Sequence, residues 1–290
     1  MTLAYWNGDY LPLEEVRVSP LDRGYLFGDG VYEVLIAYDG HAFEAEAHFE
    51  RLQRSMTALS LTGGPDVPAL TAMADRLLGD CHAATRAPAM TLYIQVTRGV
   101  DAARSHSLPK TARPSVLAYA SPITRKTAAH YAKGFTAVTA PDRRWLMCDV
   151  KSISLAGAIL AHDLADQAGA LECILIRDGL VSECSSSNVF VVSGGVIRTP
   201  TADNRILNGI SRQVILRLAR ENGWPVEERD VTEQELRAAD EVWVSSTSKE
   251  IAPIISLDGK PVGGGVPGPA GIAMRAAFDR LIEQTARRNR

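Results

Sequence analysis

Lys151 lies in DVKSISL, after the mostly apolar WLMCDV and before a run of small residues. A lysine in such company is partly desolvated, which favours the neutral amine, and a neutral primary amine attacks a carbonyl carbon to form a Schiff base. The plain alternative, a solvated surface lysine, is the usual fate of a lysine. Glu183 falls in VSECSSSNVF, within a strand whose other residues read as core. An ionised carboxylate can hold the proton on the ring nitrogen of a pyridine cofactor, which makes that ring an electron sink. The bland alternative is an edge-strand carboxylate in water. Asn208-Gly209-Ile210-Ser211 reads as the start of a helix, where unpaired N–H groups and a hydroxyl suit a phosphate, although most helix starts bind only water. The hydroxyl run Ser245-Ser246-Thr247-Ser248 after a strand is usually a loop and sometimes an anion cradle.

Short strands and helices have to position these groups. Asn7-Gly8 and Asp39-Gly40 each divide a pair of alternating segments and read as hairpin turns. From Glu46 the period changes: Phe49, Leu52, Met56 and Leu59 mark one face of a helix, and a second helical stretch runs from about Pro68 to Leu78. TLYIQVTRG and PSVLAYAS read as strands around a hydrophilic loop, DAARSHSLPKTAR. SPITRKTAAH has no apolar period, which makes it the candidate linker. Beyond it FTAVTA is a strand, and SLAGAILAHDLADQAGA a helix with Leu155, Ile159 and Leu164 on one side and Gly169 at its end. The strands ECILI, LVSE, NVFVV, VIRT and EVWVSS follow, with a helix after Gly209 and a last amphipathic helix over PAGIAMRAAFDRLIEQTARR. Hairpins and helices mix without regular βαβ alternation. The expected class is therefore α+β with two domains, a smaller one over 1–121 and a larger cofactor-binding one over 131–290, joined by a linker over 122–130.

The chain has 290 residues, 46% of them hydrophobic and 22% charged, enough for sizeable cores. Its net charge of −3 and the lack of a basic block argue against nucleic acid as a partner. MTLAYWNGDY lacks the features of a signal peptide, and no apolar run approaches the ~20 residues of a membrane span, so a cytoplasmic protein with no membrane partner is expected. Cys81, Cys148, Cys173 and Cys184 form no C-x-x-C pair; they read as reduced, mostly buried thiols, and no metal site is expected.

Taken in order, SPLDRGYLFGDGVYEV, HFERLQRS, QVTRG, RWLMCDVKSISLAGAILA, LVSECSSSNVFVV, RILNGISRQ and WVSSTSKEIAPIISLDG resemble the fold type IV pyridoxal-phosphate enzymes over nearly the whole chain. The resemblance implies pyridoxal 5'-phosphate as cofactor. It makes Lys151 the lysine that holds the cofactor and moves the substrate proton, and Glu183 the partner of the ring nitrogen. Arg51, Ile210, Ser211, Ser246 and Thr247 correspond to the phosphate contacts. Tyr32, Arg104 and His106 resemble the D-amino acid transaminase type, in which these residue types grip the substrate α-carboxylate. The implied activity moves an amino group from a D-amino acid, such as D-alanine or D-glutamate, to a 2-oxo acid, in a homodimer whose arginine loop reaches the neighbouring subunit's site. Branched-chain or (R)-amine transaminases and an aminodeoxychorismate lyase-like enzyme are the alternatives on this scaffold. Before Arg104 the chain reads Val100-Asp101-Ala102-Ala103, without the proline usual in the family.

Overall fold

The computed structural model describes residues 2–288; Asn289 and Arg290, at the end of the expected second domain, lie outside the described residues. The chain divides into two compact units. The first takes Met1–Arg125, Val150–Leu155 and Thr285–Arg290, and the second takes Lys126–Asp149 and Ala156–Gln284.

In the first unit β1 (Leu3–Trp6) and β2 (Asp9–Pro12) form a hairpin, and Asn7 and Gly8 both take the positive φ that a two-residue turn requires. A short helix α1 (Arg23–Phe27) precedes β3 (Gly30–Tyr38), β4 (His41–Ala42), α2 (Ala45–Ala58), α3 (Val67–Thr85), β5 (Ala89–Thr97) and β6 (Ser115–Pro122). The strands lie in the order β2-β1-β6-β5-β3-β4. α2 buries Phe49, Leu52 and Met56 as its period requires, but also His48, Arg51 and Ser55 on the same side. α3 runs past the expected end at Leu78, because His82 and Thr85 keep turning until Arg86 takes the left-handed conformation.

The second unit holds α4 (Ala128–Tyr131), β7 (Phe135–Pro141), α5 (Ala156–Gln167), β8 (Glu172–Arg177), β9 (Leu180–Cys184), β10 (Asn188–Ser193), β11 (Val196–Thr199), α6 (Ile210–Glu221), β12 (Val226–Glu228), α7 (Glu233–Arg237), β13 (Glu241–Ser246), β14 (Glu250–Leu257), β15 (Lys260–Pro261) and α8 (Pro269–Arg288). Its sheet runs β12-β11-β10-β13-β14-β7-β8-β9, with β15 on β14. Val189, Val191, Val242, Val244 and Ile254 pack one core of this unit.

The chain differs from expectation in three places. α4, with its Thr127 cap, starts inside the stretch read as linker and ends at Tyr131, which packs in the second unit's core. Val150–Leu155 groups with the first unit rather than with 131–290, because Val31 bridges Ser152 and Ile153 N–H donates to Gly30 O at 3.0 Å. α5 is inverted: Leu155, Ile159 and Leu164 are exposed, and the helix lays Ala161 and Ala165 against β7 and β8 instead. Alanine permits close approach of helix to sheet, so apolar periodicity here marks an outward face.

Candidate active site

The peptide of Lys151 is fixed at both ends. Its carbonyl accepts from Tyr32 N–H of β3 at 3.0 Å, and its N–H donates to Ser55 Oγ of α2 at 3.1 Å. The side chain is half-buried, and Nζ stands 4.2 Å from the centre of the Tyr32 ring. Among the described residues no carboxylate pairs with Nζ. The Tyr32 ring rests against Tyr93, with centroids 6.0 Å apart, and Tyr93 in turn meets Tyr119 at 5.4 Å.

Beneath Lys151 the same face of α2 carries an ionic cluster. Arg51 Nε and Nη2 donate to Glu33 Oε1 and Oε2 at 2.7 and 2.9 Å, and His48 Nδ1 lies 2.7 Å from Glu33 Oε2. All three residues are buried. Burial works against the Glu33 carboxylate, but Arg51 and His48 outweigh it and hold the group well below the usual carboxylate range. Burial pushes the His48 imidazole down, against the pull of Glu33. Arg51 is therefore charge-balanced inside the protein. Glu33 and His48 did not stand out in the sequence, although Glu33 occupies an inward position on β3 and His48 and Arg51 sit three apart on a helix. A carboxylate among core residues, matched by two bases at helical spacing, was the available signal.

Arg104 and His106 lie on the exposed connection between β5 and β6 and pack on Phe27 of α1. The Phe27 ring centre is 5.1 Å from Arg104 Cζ and 5.4 Å from the His106 ring. No hydrogen bond or ring contact joins either residue to Tyr32 or Lys151 among the described residues.

In the second unit Glu183 of β9 is buried and meets three donors. Arg144 Nη1 is 2.5 Å from Oε1, while Leu207 N–H and Asn188 Nδ2 reach Oε2 at 3.0 and 3.2 Å. Burial pushes this carboxyl up to about 7, even with the Arg144 guanidinium pulling it down. Nothing in the sequence around Arg144 marks it as the partner of Glu183. Its guanidinium also holds Asp142, at 2.9 Å through both Nε and Nη2. Asn188 Nδ2 donates on to Leu207 O at 2.8 Å, and its Oδ1 fills the space a Cβ at Gly209 would need. Gly209 caps α6 without a side-chain hydrogen bond, so Ile210 and Ser211 open an uncapped helix, both buried. Opposite Asn188 in the ladder, Ser245 is buried with no partner for its Oγ among the described residues, just before Ser246 and Thr247. Ser246 Oγ accepts from Lys249 N–H at 3.2 Å. Lys249 Nζ reaches Glu172 at 2.8 Å, and Ser185, Ser186 and Ser187 donate to the same carboxylate, so the turn after Glu183 is tied down.

Among the described residues the first unit carries an amine without a carboxylate partner, and the second a buried carboxylate and an uncapped helix start beside an orphaned hydroxyl; each is a group of the kind a pyridoxal-type cofactor needs. Among solved structures, the T.th. branched-chain amino acid aminotransferase complexed with N-(5'-phosphopyridoxyl)-L-glutamate is similar, with a TM-score of 0.86 and 25% identity over 97% of this chain and 93% of that one. The fold is fold type IV. The chain belongs to the class IV aminotransferase family, whose model matches residues 30–257. It is 45% identical to a D-alanine aminotransferase of Listeria innocua over 91% of this chain and 90% of that protein. It is 40% identical to a D-alanine aminotransferase of Staphylococcus aureus over 98% and 99%.

Proposed function

We propose that the protein is a pyridoxal-phosphate-dependent aminotransferase that moves the amino group of a D-amino acid, such as D-alanine or D-glutamate, to a 2-oxo acid. One observation carries the reading: Lys151 Nζ, held 4.2 Å above the Tyr32 ring with no carboxylate partner among the described residues, in a chain this similar to D-alanine aminotransferases. When bound, the cofactor supplies an electron sink for the pair left at the substrate Cα. Lys151 anchors it covalently and carries the proton to and from Cα. Glu183 holds the ring nitrogen's proton. Arg51, whose charge Glu33 already balances, contributes a hydrogen-bond donor to the phosphate, and Ile210, Ser211, Ser246 and Thr247 donate to its oxygens.

Tyr32, Arg104 and His106 bind the α-carboxylate and so decide which enantiomer presents its Cα–H to Lys151. Arg104 and His106 make no contact with Tyr32 of their own chain among the described residues, which supports their serving a neighbouring subunit in a homodimer. The exposed Ile159, Leu160 and Leu164 on α5 and the exposed Trp145 and Leu146 supply apolar surface for such an assembly. The free cysteines fit a cytoplasmic enzyme. No helix among the described residues is long and apolar enough to cross a membrane.

The test is a half-reaction spectrum of the holoenzyme against both enantiomers of alanine and glutamate. D-Alanine and D-glutamate convert the aldehyde form of the cofactor to the amine form, and the L-enantiomers do so far more slowly. Faster reaction with an L-amino acid points instead to the branched-chain type, and pyruvate release without a 2-oxo acid acceptor points to a lyase.

A further inference from the structure

The connection between β5 and β6 has no proline between Gly99 and Arg104, yet it is anchored at two levels by α1 and its cap. At its neck, Gly99 has φ +88°, and a Cβ there would collide with the Arg113 carbonyl oxygen, so the two limbs touch. Arg23 N–H donates to Gly99 O at 2.9 Å, and Asp22 bridges Val100. Farther out, the buried Arg23 side chain reaches into the loop. Its Nη1 donates to the carbonyls of Ser105 at 2.6 Å and Ser107 at 3.2 Å, the residues on either side of His106. Its Nε is held by Asp29 at 2.8 Å, and a planar guanidinium fixed at Nε has no freedom left at Nη1. The Phe27 ring lies 4.9 Å from Arg23 Cζ while also supporting Arg104 and His106.

We infer that Arg23 and Phe27 are positioning residues for the substrate carboxylate: Arg23 pins the backbone around His106, and Phe27 gives Arg104 and His106 a common ring to stand on. A purely structural role explains less. The loop contributes nothing to the core, since Ala102–Leu108 are exposed. Asp29 does not need Arg23 for charge balance, because Arg98 already grips it through Nε and Nη2 at 2.7 and 2.9 Å. A buried arginine is thus committed to two carbonyls of an exposed loop, and the side chains it orders are the two proposed to hold the substrate. The inference rests on the assignment of Arg104 and His106 to the α-carboxylate.

The test compares Phe27→Leu, Arg23→Lys and Arg104→Ala in the holoenzyme. Phe27→Leu and Arg23→Lys raise KM for both the D-amino acid and the 2-oxo acid about tenfold, the loss of roughly one charge-assisted contact, and leave kcat within about twofold. Phe27→Tyr, which keeps the ring, restores KM. Amide exchange at residues 104–107 accelerates in Phe27→Leu and Arg23→Lys, while the visible spectrum of the bound cofactor is unchanged. In an Arg104→Ala, His106→Ala background, Phe27→Leu adds less than about twofold to KM, because it acts through those side chains. If Arg104→Ala raises KM but Phe27→Leu and Arg23→Lys do not, or if their penalties persist in full in the double background, the inference is overturned and the carboxylate assignment stands. A native KM in Arg104→Ala overturns both.

Discussion

Arg144 Nη1 stands 2.5 Å from Glu183 Oε1 while its Nε and Nη2 hold Asp142, so one guanidinium serves two carboxylates. Asp142 is itself held down to about 2, where burial is outweighed by Arg144 and Ser182. Arg144 is therefore fixed from behind and offers Glu183 a cation that cannot turn away.

Two substitutions separate the roles in this pair. We predict that Glu183→Gln lowers kcat by at least ~10²-fold at every pH, the scale of losing one well-placed electrostatic group. Arg144→Gln removes the group that pulls the Glu183 carboxyl down, so the carboxyl is pushed above 7 and is protonated at neutral pH. Its kcat falls about tenfold at pH 7 and recovers toward pH 9, a loss equivalent to about 1.4 kcal/mol of support for the charged carboxylate. A pH-independent loss in Arg144→Gln would show that Glu183 does not titrate through this pair.

Lys151→Ala should give protein without the visible absorbance of a Lys-bound cofactor. Borohydride reduction of the wild-type holoenzyme followed by peptide mapping should place the adduct on Lys151. An adduct on another lysine sinks the assignment.

Glu33 holds both the buried Arg51 and His48, so Glu33→Gln breaks a buried ionic cluster and should cost about 3–5 kcal/mol in chemical denaturation. A loss below about 1 kcal/mol would mean that Arg51 finds another counter-charge at no cost.

The same cluster sets a pH dependence. Both groups have lowered folded values, so the unfolded chain takes up their protons first and stability falls on acidification. The His48 contribution is present above about pH 6.5 and declines below it, whereas that of Glu33 is present above about 4.5 and declines as pH drops further. Urea melts from about pH 8 to about pH 4 should show the first decline, and His48→Gln should abolish it. An unchanged decline in His48→Gln would place its origin elsewhere.

For the homodimer proposed above, Ile159→Asp on α5 should shift sedimentation velocity from dimer to monomer while far-UV circular dichroism is retained, since the core contacts of this helix come from Ala161 and Ala165. A dimer of native stability would move the subunit contact to another face.

Most strands and the long helices were legible because alternation and helical period report burial locally. The hairpin turns at Asn7-Gly8 and Asp39-Gly40 needed only their own residues. α5 misled for a physical reason: period shows that a face is apolar but not whether sheet or solvent receives it. α7 and β14 escaped notice because one is five residues long and the other carries Pro253, which removes a ladder donor. Lys151, Glu183 and the Gly209 helix start could be picked out because each carries chemistry in its own segment. Arg144 could not, since it lies 39 residues from the carboxylate it serves, and only the β7–β8–β9 arrangement brings them together.

The return of Val150–Leu155 to the first unit has a consequence for any attempt to split the chain. A cut at Arg125 gives an N-terminal piece that keeps Tyr32, Arg51 and Ser55 but lacks the peptide that Tyr32 N–H and Ser55 Oγ grip. The complementary piece keeps Lys151 and loses everything that orients it. Neither half can be inherited, swapped or assayed as a working module, so recombination between relatives at this apparent seam must bring both pieces from parents whose β3, α2 and lysine segment already match.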